Sequence, residues 1–421
     1  MSRRIIYLDN NATTMMSDKT IEEWCKWANH GNPSAAYLSA KHSRKKINEF
    51  KLFIAKICNF KLDEGEVPST DKKAYRVIFT SCATESNNTI IKSVVDAYNA
   101  RNLVPHVILS AIEHKSSILC AQHLEEIGSI QLSMVPPDKY GFIHAKDIAP
   151  LIRENTCLIS IMHANNELGT INEIAEIGKL AHDNGIPFHT DVAQTFGKFP
   201  VRPLENNVDA FSISFHKIYG PPSVGALVIK SEFMTGYKLC ACIAGSQNFG
   251  FRGGTENTPG IAASHLALDT TLSSRTDKNG HLTQLKKYFI EELNSRMPCR
   301  TYKEYLTYPP TNALEIVILS PASKLYLANT VFLSVVKHTT TGKQVCNGTM
   351  KKQLEEEKFI VSVGSACNTD SKLASHVLSA IGADDKIKRG ALRISFSDST
   401  KIESVTAFIK TFANIVNEFN N

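Results

Sequence analysis

Lys217 stands in "FSISFHKIYGPP" (211–222), directly after an apolar run and ahead of a Gly-Pro-Pro turn. The pattern predicts a strand ending in a tight loop that bears Ser214, His216 and Lys217. An ordinary lysine amine, with a pKa of about 10.4, is a poor nucleophile at neutral pH. Covalent use of such a lysine requires desolvation, an adjacent cation, or an aldehyde that traps the amine as a Schiff base. Polar residues also gather at the ends of four other apolar runs. "FTSCATESNN" sets Ala83 and Thr84 between a strand and a helix, where free backbone amides and the helix dipole favour phosphate. "SAIEHKSS" carries Glu113 and His114, "MHANNELG" carries Asn165 and Asn166, and "FHTDVAQTFG" carries Asp191 and Gln194. Singly these are ordinary cap and turn residues. Together, a phosphate cradle, an aspartate for a pyridinium nitrogen, a histidine able to stack and a lysine describe a pyridoxal 5'-phosphate (PLP) site.

A second nucleophile follows far along the chain. In "IVSVGSACNTDSK" (360–372) a strand pattern runs into small, polar residues around Cys367. A cysteine normally packs as a small hydrophobe, but this one sits in a segment with little to pack. Its thiol is only a few per cent ionised at neutral pH and needs a proton acceptor or positive potential nearby.

The elements that must position these groups alternate. Short apolar runs at 75–80, 106–111, 130–135, 157–162, 186–191, 208–213 and 224–229 are separated by helical patterns near 85–100, 115–128 and 172–185. This predicts an α/β domain on a mostly parallel seven-stranded sheet, with the 224–229 run antiparallel after its Gly-Pro turn. Ligands of such sheets bind outside the carboxyl ends of the strands, where the polar residues fall. Beyond about residue 270 long helical patterns surround fewer strands, and 303–345 yields no secure elements. The expected division is a large domain over 17–270 and a smaller α+β domain made of 1–16 and 271–421.

With 47 basic and 41 acidic residues the net charge is +6, too slight and too scattered to point to nucleic acid. No apolar stretch approaches the length of a membrane span, and the first residues do not form a signal peptide, so a cytoplasmic protein is expected. The ten cysteines lack zinc-like spacing, and no metal is expected.

The motifs "YLDNNATT", "NPS", "FTSCATESNN", "EHKS", "MHANNELGTI", "FHTDVAQTFGK", "SFHKIYGPP", "FRGGTENTPG" and "VGSACNTD" resemble, in order and spacing, those of the NifS/IscS-like cysteine desulfurases. The resemblance spans nearly the whole chain and is weakest from 270 to 355. It implies the PLP-dependent transferase fold (fold type I) and conversion of L-cysteine to L-alanine, with the sulfur held as a persulfide on Cys367. That sulfur would pass to an acceptor protein such as an iron–sulfur scaffold or a tRNA-thiolating enzyme. By the same resemblance Lys217 forms the Schiff base, His114 stacks on the ring and Asp191 keeps its nitrogen protonated. Asn165 and Gln194 lie on the phenolic side, Asn165 also facing substrate. Ala83, Thr84, Ser214 and His216 bind the phosphate, and Arg393 in "ALRISFSD" takes the substrate carboxylate. The family forms homodimers in which the threonine matching Thr255 reaches the partner's cofactor. Cys82 departs from the pattern, standing where the family carries glycine. The rival readings are a selenocysteine lyase or aminotransferase of the same fold, and a catalytically idle dimeric binding scaffold.

Overall fold

The computed structural model describes residues 5–100, 103–310, 312–340, 342–363 and 375–419, with the side chains of 276 and 278 excepted. Its larger sheet runs, in spatial order, Lys61–Leu62, Ala74–Thr80, Gly225–Lys230, Ala210–Ser214, Phe188–Asp191, Thr156–Ser160, His106–Ser110 and Gln131–Val135. Gly225–Lys230 is antiparallel to both neighbours and every other pairing is parallel. The seven expected strands are thus joined by an eighth, Lys61–Leu62. Two residues are too few to register as a pattern in sequence.

These strands read as continuous apolar runs because both faces of the sheet are covered. Val77, Phe79, Ile108, Ile159, Phe211 and Val228 face one core, which the helix Leu38–Cys58 enters with Ile47, Phe50 and Ile54. Ile78, Val107, Leu109, Leu158 and Leu227 face the other, against Ile90, Ile91, Val94 and Val95 of the helix Ala83–Asn99. Each fully buried side chain of this size contributes roughly 1.5–3 kcal/mol. Buried polar groups inside the sheet are paired across strands. His106 bonds Thr156 and Ser133 at 2.9 and 2.8 Å, and His189 bonds Ser160 and Ser212 at 2.7 and 2.9 Å. Burial pushes both rings down, to about 4 and about 3, so they are neutral rungs of the sheet.

A second sheet contains Cys299–Thr301, Leu314–Ile318, Thr330–Lys337 and Ala391–Ser395, and packs on the helices Arg275–Asn294 and Ile402–Asn417 through Leu285, Phe289, Phe408 and Phe412. The N-terminal strand Ile6–Tyr7 pairs with Phe359–Ile360, and Asp9 bridges to Ser395. From there the chain crosses to the carboxyl edge of the large sheet. Thr14 hydroxyl and amide both donate to His216 O at 2.9 Å. Among the described residues no helix is long and apolar enough to cross a membrane, and no cluster of three or more His, Cys, Asp or Glu is placed to hold a metal ion.

Candidate active site

The carboxyl ends of the parallel strands surround a cavity of about 360 Å³ lined by Asn11, Thr84, His114, Asp191, Lys217 and Arg393, among others. That size suits a small cofactor with its substrate. Lys217 reaches it from the turn Phe215–Lys217, which follows the strand Ala210–Ser214 without a break. The turn is closed by Gly220, whose amide donates to Phe215 O at 2.9 Å. A Cβ at Gly220 would meet that same oxygen at 2.9 Å, so the close approach requires glycine.

Lys217 Nζ donates to Asn11 O at 2.8 Å and Ala12 O at 2.6 Å. Burial pushes its amine down to about 8, with Arg393 and Lys198 adding to the effect and Asp191 and Asp9 opposing it. At neutral pH roughly a tenth of such amines are free base, against about one in a few thousand for an exposed lysine. Asp191 ends its strand 5% exposed. Its carboxylate accepts from Asn87 Nδ2 at 2.9 Å and from the Ala193 amide at 2.8 Å. His114 caps the helix Lys115–Glu126, its Nδ1 accepting from the Ser116 amide at 3.2 Å, and lines the cavity. Burial holds its ring below the usual histidine range against the pull of Asp191, with Lys217, His376 and Lys115 adding to burial.

At the cavity the helix Ala83–Asn99 begins without any side-chain cap, so its first amides are open to an anion. Ala83, Thr84, Ser214 and His216 line the same cavity. His216 Nδ1 bonds Thr13 Oγ1 at 3.0 Å, and burial, reinforced by Lys217, lowers the ring to about 4. Cys82 also lines the cavity, and its backbone is extended (φ −176°, ψ 172°), a conformation open to any residue, so cysteine fits there without strain.

Arg393 is 6% exposed, in the strand Ala391–Ser395. Its guanidinium donates to Asp9 Oδ1 at 2.7 Å and Asn166 O at 3.0 Å. Gln194 Nε2 donates to Asn11 O at 3.1 Å, while its Oε1 is buried without a partner among the described residues.

The expectation for Asn165 needs correction. Its Oδ1 accepts from the Glu167 and Leu168 amides, both at 2.9 Å, and its Nδ2 donates to Ile112 O at 3.0 Å. The side chain is consumed in its own turn and does not line the cavity; Asn166 does. Thr255 is exposed and away from this chain's cavity. Cys367 lies outside the described residues. Sequence reasoning missed Asn11, whose side chain bonds Thr330 Oγ1 and Asn329 Nδ2 while its carbonyl holds Lys217. The quoted "YLDNNATT" contained the signal, adjacent asparagines straight after a short strand.

Residues 6–322 match the family described as Aminotransferase class-V. Over 417 residues the chain is 34% identical to the protein named cysteine desulfurase IscS in Dictyoglomus turgidum, covering 98% of this chain and 95% of that one. The chain belongs to the cysteine desulfurases of the class-V aminotransferase family. A second cysteine desulfurase IscS, from Methanosarcina thermophila, is 33% identical, covering 99% of this chain and 93% of its own length. A solved structure titled NifS-like protein superposes with a TM-score of 0.80 at 28% identity, covering 98% of this chain and 99% of that one. Cysteine desulfurases of this family depend on PLP, and the residues present fit it: uncapped helix amides, a buried carboxylate and a desolvated lysine border one cavity.

Proposed function

We propose that this chain removes sulfur from L-cysteine and delivers it, through a persulfide on Cys367, to an acceptor protein such as an iron–sulfur scaffold. The observation that carries the proposal is the convergence of Lys217, Asp191, His114 and Arg393 on one cavity. PLP, when bound, supplies the electron sink for charge developing at the substrate Cα. Ala83, Thr84, Ser214 and His216 hold its phosphate. The Asp191 carboxylate, kept in place by Asn87 and the Ala193 amide, holds a proton on the ring nitrogen, and the His114 ring covers one face. Gln194 and Asn166 orient the phenolic side. Arg393 takes the substrate carboxylate bidentately and turns from Asp9 to do so. The free-base amine of Lys217 removes the Cα proton and returns it elsewhere on the substrate skeleton. The Cys367 thiolate then attacks the substrate sulfur. An S–S bond forms, the C–S bond breaks with its electron pair passing to the carbon side, and protonation there yields alanine.

The same reading makes the working unit a homodimer in which exposed Thr255 serves the partner's cavity. It divides the chain into 17–270 and 1–16 with 271–421, and places the protein in the cytoplasm. The nine described cysteines are all free thiols, which agrees with a reducing compartment. Incubation with L-cysteine followed by mass spectrometry of the peptide bearing Cys367 tests the proposal. A persulfide on that residue is expected, absent in Cys367→Ser. Sulfide release from L-cysteine by Cys367→Ser at the parent rate would overturn it.

A further inference from the structure

Glu113, the neighbour of His114, has no part in the chemistry above, yet it is only 1% exposed. Its Oε1 lies 2.5 Å from Ser110 Oγ, at the end of the strand His106–Ser110, and accepts from the Met162 amide at 2.7 Å, just beyond the strand Thr156–Ser160. Its Oε2 is buried without a partner among the described residues. Its own carbonyl accepts from His376 Nε2 at 3.0 Å. One residue therefore joins three segments: the turn carrying His114, the turn carrying Met162 and Asn166, and the helix His376–Ala380. Both His114 and Met162 line the cavity.

Among the described residues no lysine or arginine pairs with this carboxyl. The titratable groups around it are Asp191, His114 and His376, and of these Asp191 is the one whose charge bears on it directly, by repulsion. A buried, unpaired carboxylate beside a second one is the costlier state of the two. Both oxygens of Asp191 have a donor, Asn87 Nδ2 on one and the Ala193 amide on the other, whereas Glu113 Oε2 has none among the described residues.

We propose that Glu113 is a positioning residue, seated as the neutral acid, that fastens the turn of His114 to the turn of Met162 and so fixes two walls of the cofactor cavity. Burial pushes its carboxyl up to about 8, consistent with that state at neutral pH. A neutral Glu113 spares the cavity wall an unpaired buried charge.

The inference rests on the cavity being a PLP site, and its test has one arm that does not. The full-length chain and its Glu113→Gln and Glu113→Leu variants are compared in two measurements. The first is the dissociation constant for PLP at pH 7. Glutamine reproduces the neutral acid's shape and both hydrogen bonds, so affinity within about threefold of the parent is expected. Leucine leaves the Met162 amide unanswered, and at least a tenfold loss is expected. The second is the thermal midpoint of the cofactor-free chain from pH 5 to 8. A carboxyl whose folded pKa is raised contributes stability that is complete below its unfolded pKa and is lost as pH climbs to the folded one. The midpoint of Glu113→Gln minus that of the parent is therefore expected to grow from pH 5 to 8. A constant difference over that range, or PLP affinity as poor in Glu113→Gln as in Glu113→Leu, would overturn the proposal. Failure of the parent itself to bind PLP would instead sink the cofactor reading, and the stability arm would still judge Glu113. If Glu113→Leu does not fold, the glutamine variant decides alone.

Discussion

Lys217 and Lys286 are two of the lysines whose amines burial pushes down, yet of this pair only Lys217 belongs to the active site. Lys286, in the helix Arg275–Asn294, is 2% exposed, donates to Leu327 O at 3.1 Å and lies 5.6 Å from the centre of the Tyr326 ring. Burial alone pushes it down to about 7, further than Lys217, which stands at about 8. A depressed amine is thus no signature of catalysis. What separates the two is company: Lys217 opens on a cavity shared with Asp191, His114 and Arg393, whereas Lys286 meets a carbonyl and a ring inside the second core. Desolvation prepares an amine for chemistry, and access to a ligand decides whether the preparation is used.

Substitutions at the two positions break the comparison most sharply. Lys217→Ala should abolish alanine formation from L-cysteine, while Lys286→Met should keep kcat within about twofold. Next in size, Asp191→Asn should lower kcat/KM by roughly 10²-fold or more, read from initial rates, since it removes the charge that holds the ring proton. Third, Lys286→Met should stabilise the chain by about 1–4 kcal/mol at pH 7 in denaturant titrations. The sign follows from the folded amine being neutral above about 7 while the unfolded amine stays charged to about 10.5. The parent's handicap is full below pH 7 and fades as pH rises towards 10, so the advantage of methionine should shrink over the same span. Smaller still, Arg252→Ala removes the partner that meets Glu85 at 2.8 and 3.2 Å, at the start of the helix that offers its amides to phosphate. PLP affinity should weaken about three- to tenfold, measured by fluorescence titration. On the exposed side of the helix Ile174–Asp183, Lys179→Ala breaks the 2.6 Å pair with Asp183 and should shift stability by less than about 0.5 kcal/mol.

The carboxyl edge of the large sheet was legible because most of its strands are largely apolar runs that end in polar turns, and Lys217, Asp191, His114 and Thr84 all fall on that edge. Legibility failed where a contact distant in the chain makes the decision. Leu314–Ile318 contains Glu315, fully buried, which reads as a break in an apolar run until Arg300 and His338 are brought to it at 2.5 and 2.6 Å. Asn165 and Asn166 are chemically identical neighbours. Only the folded turn, which spends Asn165 on two amides, determines which one faces the cavity. Asn11 escaped notice because its partners, Asn329 with Thr330 and Lys217, come from two remote segments.

The contrast between the two lysines is tested most directly by trapping. The purified chain is loaded with PLP and reduced with borohydride, and the modified peptide is located by mass spectrometry. The expected result is a single phosphopyridoxyl adduct on Lys217 with Lys286 untouched. An adduct on Lys286 or another lysine with Lys217 unmodified would contradict the assignment of the cavity.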